Sequence, residues 1–455
     1  MSVRWYHGRN DRLVSCGQYH IRKWEFNYER RRLFPDDLKT GGVKRIFTTL
    51  ALTHDDNTCY SGTSTGDVLQ FNLENGNFVT TSSHRFSLGV TSMQVSEDGY
   101  LLCGTGDGAL VKLTLKDLKF NKAAELLGGV TSIALSADHQ SAFVGTEGGN
   151  IYGVAVPALE TQLRGTGHNS PIVDVIFPNG TSELFITAGG CEIRIWHSIK
   201  RTELLRIQVP NLKVLSCAIN GSGTSIISGW DDGKIRAFTP ETGRLQYTIN
   251  DAHAEGVSAV AFTHDGTKVI SGGKDGRVRT WNVSGRTQKM ELSFKEHKKE
   301  VTSIRVAHND EEALSSAADG SCCVWNLRRG TRANALFAST VFRTILYHPD
   351  ESQLLTCGSD RKVTYWDTTD CTAIRVMDGS TEDINSIDIE KDGVYFVSAG
   401  NDRLVKLWLY DEGDQVAVGT GHSGNINRVA ISPDKRIIVS VGTEGAIFIW
   451  RMPEH

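Results

Sequence analysis

The chain has 455 residues, of which 39% are hydrophobic and 22% charged, with a formal net charge of −4. That composition supplies ample apolar material for a packed core and excludes a disordered or low-complexity chain. The near-neutral charge gives no bulk reason to expect nucleic acid or a lipid surface as the partner, and no run approaches the ~18 apolar residues of a membrane-spanning helix.

In chain order, the first predicted elements lie in NDRLVSCGQYHIRKW (residues 10–24), read as an apolar strand, a Gly17-Gln18 turn and a second strand ending on Trp24. Helical periodicity is nearly absent from there on. Short β-type runs alternate with Gly, Asp, Asn and Ser clusters, which makes an internal repeat the first thing to seek. The repeat is plain in TKVISGGKDGRVRTWNV (267–283), DEEALSSAADGSCCVWNL (310–327), YFVSAGNDRLVKLWLY (395–410) and RIIVSVGTEGAIFIWRM (436–452). Each is an apolar strand, a small-residue pair, an Asp-Gly-like turn and a strand ending on an aromatic.

With that terminal residue as marker, the series is Trp24, Phe71, Leu113, Val154, Trp196, Phe238, Trp281, Trp325, Trp366, Trp408 and Trp450, at intervals of 41 to 47 residues. This is the WD-repeat period, one four-stranded propeller blade per repeat. Finer offsets keep the same phase. His168, His253, His297 and His422 lie 28 residues before a marker Trp. Ser271, Ser315, Thr356, Ser398 and Ser440 lie ten before one, and Asp275, Asp319, Asp360 and Asp402 six before, with Glu444 in the same slot. Ser, His and Asp therefore recur once per blade, as a structural hydrogen-bond network does. A catalytic triad needs one shared constellation. The expected network includes His253, Ser271, Asp275 and Trp281, and His297, Ser315, Asp319 and Trp325.

Other chemistry is absent from the pattern. GTGDG (104–108) lacks the helix a phosphate-binding loop requires and falls on a strand turn. Adjacent Cys322 and Cys323 point to opposite faces of a strand and cannot share a metal. None of the nine cysteines forms a C-x-x-C pair, and no secretory leader pattern opens the chain, so a reducing, cytoplasmic setting is expected and the Asn-X-Ser/Thr sequons are expected to be silent. No enzyme, cofactor, metal or small-molecule substrate is expected. What remains is surface. Arg30, Arg31 and Arg32 in YERRRL, and Arg328, Arg329 and Arg332 in NLRRGTR, follow a marker Trp and are expected on exposed turns. They read as a solvated face or as contacts to an acidic partner such as a tubulin lattice. Trp230, in SGWDDGKIRAF, is expected to pack over the central channel or to anchor an interface.

Eleven repeats exceed one ordinary ring. The expected fold is all-β: a partial first WD40 propeller of about four blades over residues 1–159, and a complete seven-bladed WD40 propeller over 160–455. GTSELFITAGG, SIISGWDDGKIRAFTPETGRL, SDRKVTYWD and GHSGNINRVAISPDKRIIVSVGTEGAIFIWRMP resemble the cilia- and flagella-associated protein 52 family of WD-repeat proteins, and the resemblance runs through essentially the whole chain. It implies two seven-bladed propellers and a microtubule inner protein of motile axonemes. Such a protein sits in the lumen of the doublet B-tubule and bridges tubulin and inner-junction proteins without catalysis. On that pattern, about three further blades are expected before Met1. The alternative is a soluble WD40 adaptor presenting partners to a ubiquitin ligase or signalling complex.

Overall fold

In the computed structural model, which describes residues 2–42, 44–284 and 287–453, every marker residue lies on the third strand of an antiparallel sheet. Eleven such sheets follow one another among the described residues, here sheets 1 to 11, spanning 2–37, 47–81, 90–125, 130–166, 172–208, 214–249, 257–294, 301–337, 342–378, 384–420 and 426–451. Each is a simple meander of four strands, except sheet 11, which has three. The chain divides into two compact units, Met1–Gly167 with sheets 1 to 4 and His168–His455 with sheets 5 to 11. The fourth strand of sheet 4, Glu160–Thr166, pairs back onto Asn150–Ala155. That pairing assigns 160–166 to the first unit, so the division falls after Gly167, not at the expected 159.

Turn chemistry makes the hairpins. Gly276 and Gly445 sit between second and third strands with φ of 70° and 76°, where a Cβ would lie 2.5 Å from the carbonyl oxygens of His297 and His168. Glycine is required there both by the left-handed backbone and by the close approach of the neighbouring sheet's leading loop.

The sheets stack through their first strands, and one device recurs at the junctions of sheets 7 with 8, 8 with 9 and 10 with 11. The second residue of the first strand donates to the carbonyl of the first residue of the next sheet's first strand. Ser258 Oγ bonds Val301 O at 2.6 Å, Thr302 Oγ1 bonds Phe342 O at 2.8 Å, and Asn385 Nδ2 bonds Ile426 O at 2.8 Å. Asn427 of sheet 11 then makes the same bond to Ile172 of sheet 5, Nδ2 to O at 2.7 Å. Beside it, Arg428 Nε meets the buried Asp174 Oδ1 at 2.9 Å and Arg428 Nη1 reaches Thr344 Oγ1 of sheet 9 at 3.2 Å. The last sheet of the second unit is thus fastened to its first as sheet 10 is to sheet 11.

In the first unit, Thr48 bonds Val90 O and Thr91 Oγ1 bonds Val130 O at 2.5 Å. Beyond sheet 3 the pattern of burial changes. The second strand of sheet 10, Tyr395–Gly400, is buried at every position, whereas in sheet 4 the strand Ser141–Thr146 alternates and Phe143 is 60% exposed. One face of sheet 4 rests on sheet 3 and the other meets solvent.

Removing one partner of a mostly buried ion pair strands the other charge. Asp174→Asn is expected to destabilise the second unit by about 3 kcal/mol, and the apolar pair Asp174→Leu with Arg428→Met to recover most of it. Guanidinium unfolding followed by tryptophan fluorescence reads this directly, since seven of the nine tryptophans lie in that unit.

Candidate interaction surface and the buried polar network

The Ser, His and Asp positions meet in sheets 7 and 8, and in sheet 11 with Glu444 as the acid. In sheet 7, His253 Nδ1 is 2.9 Å from Asp275 Oδ1, His253 Nε2 is 2.9 Å from Ser271 Oγ, and Trp281 Nε1 donates to the same Oγ at 2.9 Å. An indole N–H only donates and a carboxylate only accepts, which orders the chain: Trp281 N–H to Ser271 oxygen, Ser271 O–H to His253 Nε2, His253 Nδ1–H to Asp275. Burial holds the His253 imidazole below its ordinary pKa, against the pull of Asp275, in keeping with a neutral ring. In sheet 8, His297 Nε2 meets Ser315 Oγ at 2.7 Å, Trp325 Nε1 donates to Ser315 Oγ at 2.7 Å, and Ser321 Oγ links His297 Nδ1 to Asp319. Sheet 11 repeats the set with His422, Ser440, Trp450 and Glu444.

The connectivity of Asp275, His253 and Ser271 is that of a hydrolase triad, and the surroundings forbid the chemistry. Ser271 and Ser315 are wholly buried, and each hydroxyl oxygen already accepts from an indole. No acyl group can reach them. Their role is to let each polar atom of the blade find a partner.

Two sheets vary the device. In sheet 5, His168 Nε2 meets Thr187 Oγ1 at 2.8 Å and Trp196 Nε1 donates to it at 2.8 Å, but the acid is Glu192, four residues before the marker. The strands there turn through only Gly190 and Cys191, because Gly189 pairs with Glu192. Glu192 also receives Arg194 Nε at 2.8 Å, and Arg194 Nη1 reaches Glu203 Oε2 at 3.1 Å. Burial would raise the Glu192 pKa; hydrogen bonds from His168 and Arg194 win and lower it to about 2.

Sheet 6 ends on Phe238, without an N–H, and has Pro210 where the repeat histidine would stand. Trp230 takes over: its Nε1 donates to Ser228 Oγ at 2.8 Å, and the residue is fully buried beneath the Arg236 guanidinium, 5.4 Å from the ring centroid. This corrects the placement of Trp230 on a partner-binding surface. Its ring is a core element and no interface anchor.

The arginines are on the surface. Arg30, Arg31 and Arg32 lie on the exposed turn leading into the outermost strand of sheet 1, Arg32–Asp37, where Asn27 Oδ1 accepts from Arg30 N at 2.8 Å. The equivalent turn of sheet 8 carries Arg328 and Arg329, with Asn326 Oδ1 accepting from Arg329 N at 2.8 Å. Arg328 pairs with Glu311 at 3.2 Å and Arg332 with Glu296 at 2.7 Å, exposed pairs of small worth. Among the described residues Arg30, Arg31, Arg32 and Arg329 make no ion pair. A shallow cleft beside Arg30 is lined by Tyr28, Glu29 and Phe34.

A larger groove of about 780 Å³ in the first unit is lined by His7, His54, His139 and Glu97. Among the described residues no three His, Cys, Asp or Glu side chains are placed to hold a metal, and no helix is long and apolar enough to cross a membrane.

The family model for the WD domain, G-beta repeat, matches residues 243–282, 288–326, 338–367, 371–408 and 413–451. The chain is 44% identical over 393 residues to cilia- and flagella-associated protein 52 of Bos taurus, covering 86% of the chain and 63% of that relative. It is 45% identical over 392 residues to the Sus scrofa protein of the same name, again 86% and 63%. Against the protein of that name from Chlamydomonas reinhardtii the identity is 44% over 402 residues, 87% of the chain and 65% of the relative. The chain thus spans somewhat less than two thirds of the length of these curated relatives.

Two outcomes follow from the network. A Trp230→Phe variant keeps an aromatic ring but loses the N–H and part of the indole's volume, and is expected to cost about 1–3 kcal/mol; Trp230→Ala should cost about 3–5 kcal/mol, both read by unfolding. The lowered pKa of Glu192 means its stabilisation is complete above its unfolded value near 4.5 and is lost as pH falls toward about 2. Glu192→Gln should therefore flatten that acid limb of the stability profile measured by denaturation at pH 2 to 5.

Proposed function

As a WD-repeat chain homologous to cilia- and flagella-associated protein 52, this protein is, we propose, a non-enzymatic structural component of the ciliary or flagellar axoneme. The observation that carries the reading is the similarity itself: 44–45% identity over 86–87% of the chain, to mammalian and algal proteins that share the name. The sealed serines of the blade network support the absence of catalysis.

On this reading the second unit is a seven-bladed propeller and the first a four-bladed arc, supported by the Asn427–Ile172 and Arg428–Asp174 junction and by the exposed face of sheet 4. The protein lies in the lumen of the doublet B-tubule against tubulin and inner-junction proteins. The turns bearing Arg30, Arg31 and Arg32, and Arg328, Arg329 and Arg332, offer guanidinium forks to carboxylate-rich partners there.

A tagged copy expressed in ciliated cells is expected to remain with axonemes after detergent extraction. Recovery in the soluble fraction alongside ubiquitin-ligase subunits would overturn the assignment. The triple charge reversal Arg328→Glu, Arg329→Glu and Arg332→Glu should lower retention several-fold while leaving the unfolding midpoint unchanged, because the side chains are exposed.

A further inference from the structure

Four charged side chains on the first strands of the second unit converge on one interior space: Asp174 of sheet 5, Arg305 of sheet 8, Asp388 of sheet 10 and Arg428 of sheet 11. Arg428 shows where that space lies. Its Nε meets Asp174 at 2.9 Å, while its Nη1 reaches past sheet 10 to Thr344 Oγ1 of sheet 9 at 3.2 Å. A side chain that touches both lies inside the circuit of first strands and not between two adjacent sheets. Arg305 enters the same space, because the charges that act on it are those of Arg428, Asp388 and Asp174, from three other sheets.

Three of the four have partners. Asp174 and Arg428 pair, and Asp388 Oδ2 accepts from Ile431 N at 2.7 Å. Arg305 is different. Its Nη1 donates to the carbonyl of the adjacent Ile304 at 3.3 Å, and among the described residues it forms no ion pair. A guanidinium carries five N–H donors, so most of its capacity is unspent. Burial and the like charge of Arg428 hold Arg305 below its ordinary pKa, against the pull of Asp388 and Asp174. Burial also pushes the Asp388 carboxyl up, toward its neutral form, which makes it a weak counter-charge. Two positions before Arg305 on the same strand, and so on the same side, Ser303 is 1% exposed and its hydroxyl has no hydrogen-bond partner among the described residues. The interior thus holds an uncompensated guanidinium, a second one facing it and a sealed hydroxyl without a partner, a donor-rich setting that an anion satisfies.

We propose that the interior of the second unit binds a phosphate ion between Arg305 and Arg428, with the Ser303 hydroxyl as a further donor. Arg428 takes part through Nη2, which makes no hydrogen bond among the described residues and is left over from the bonds to Asp174 and Thr344. Two guanidinium forks on opposite sides need acceptors on both. The tetrahedral oxygens of phosphate supply them, whereas a carboxylate presents its two oxygens along one edge. The ion neutralises Arg305 and ties sheet 8 to sheet 11 across the interior, so it stabilises the unit. The site rests on the closure of the second unit and does not depend on the axonemal assignment.

The probe is inorganic phosphate, titrated onto the full chain by calorimetry at constant ionic strength with chloride as the balancing anion. Saturable one-to-one binding is expected, about tenfold weaker or more in Arg305→Met and several-fold weaker in Arg305→Lys, which keeps the charge and loses the fork. Without phosphate, Arg305→Met should unfold at a midpoint no lower than the parent chain, because it removes an uncompensated charge. Phosphate should raise the parent's midpoint and leave that of Arg305→Met unmoved. Absence of saturable binding, or equal binding by Arg305→Met, overturns the proposal. So does a lowered midpoint of Arg305→Met without phosphate, since Arg305 then has partners enough within the protein. Acetate binding as tightly as phosphate overturns the choice of ion. Hydrogen exchange at Ile426–Ile431 separates the two ways to fail: slow exchange with no phosphate binding overturns the site alone, and fast exchange overturns the closure and the site with it.

Discussion

A four-stranded meander of this kind presents two apolar faces and can bury neither alone; each sheet needs a neighbour on both sides, and that requirement organises the second unit. The polar device that accompanies it at several junctions is small: one side chain at the second position of a first strand, Ser258, Thr302, Asn385 or Asn427, donating to the backbone of the next sheet. Because Asn427 makes that bond to Ile172 as Asn385 makes it to Ile426, sheet 11 stands to sheet 5 as sheet 10 stands to sheet 11. Asp174 and Arg428 add a charged pair at the junction that joins the first and last sheets of the second unit. Where the requirement is unmet the side chains show it, as in the alternating exposure of Ser141–Thr146 in sheet 4.

The same logic explains residues that look catalytic. Burying Ser, His and Asp is tolerable when each atom has a partner, and the order of donors from indole to carboxylate leaves none over. Variation confirms the constraint. When sheet 6 lacks both the histidine and the tryptophan marker, Trp230 supplies the N–H to Ser228; when sheet 5 shortens its turn, Glu192 replaces the aspartate and draws in Arg194 and Glu203. With that chemistry sealed inside the blades, what the chain presents outward is its rims and its turns.

Most of the fold was legible because the repeat counts residues. Markers a fixed distance apart fall on third strands, and the His, Ser and Asp offsets found true hydrogen-bond partners in sheets 7, 8 and 11. The misses share a cause, which is that counting assumes a constant turn. Gly190 and Cys191 shorten the hairpin of sheet 5, so Thr187 and Glu192 slipped out of phase and were not recognised. Trp230 was read as packing over the central channel or anchoring an interface, although Pro210 and Phe238 in the same repeat already signalled a missing ring donor. The start of the second unit was set too early because Glu160–Thr166 pairs back onto Asn150–Ala155 as the fourth strand of sheet 4. The arginine turns were legible in position, since they follow a marker, but not in strength, because Glu311 and Glu296 reach them from other parts of the sequence.

The equivalence of the junction between sheets 11 and 5 to its neighbours is open to direct measurement by native-state hydrogen exchange on the full chain. The amides of Ile172–Ile176 and Ile426–Ile431 should exchange in the same slow class as those of Val301–Val306, which has sheets on both sides. Exchange of the first two strands as fast as that of Val130–Leu135, whose sheet has one face in solvent, would contradict the closure on which this account rests.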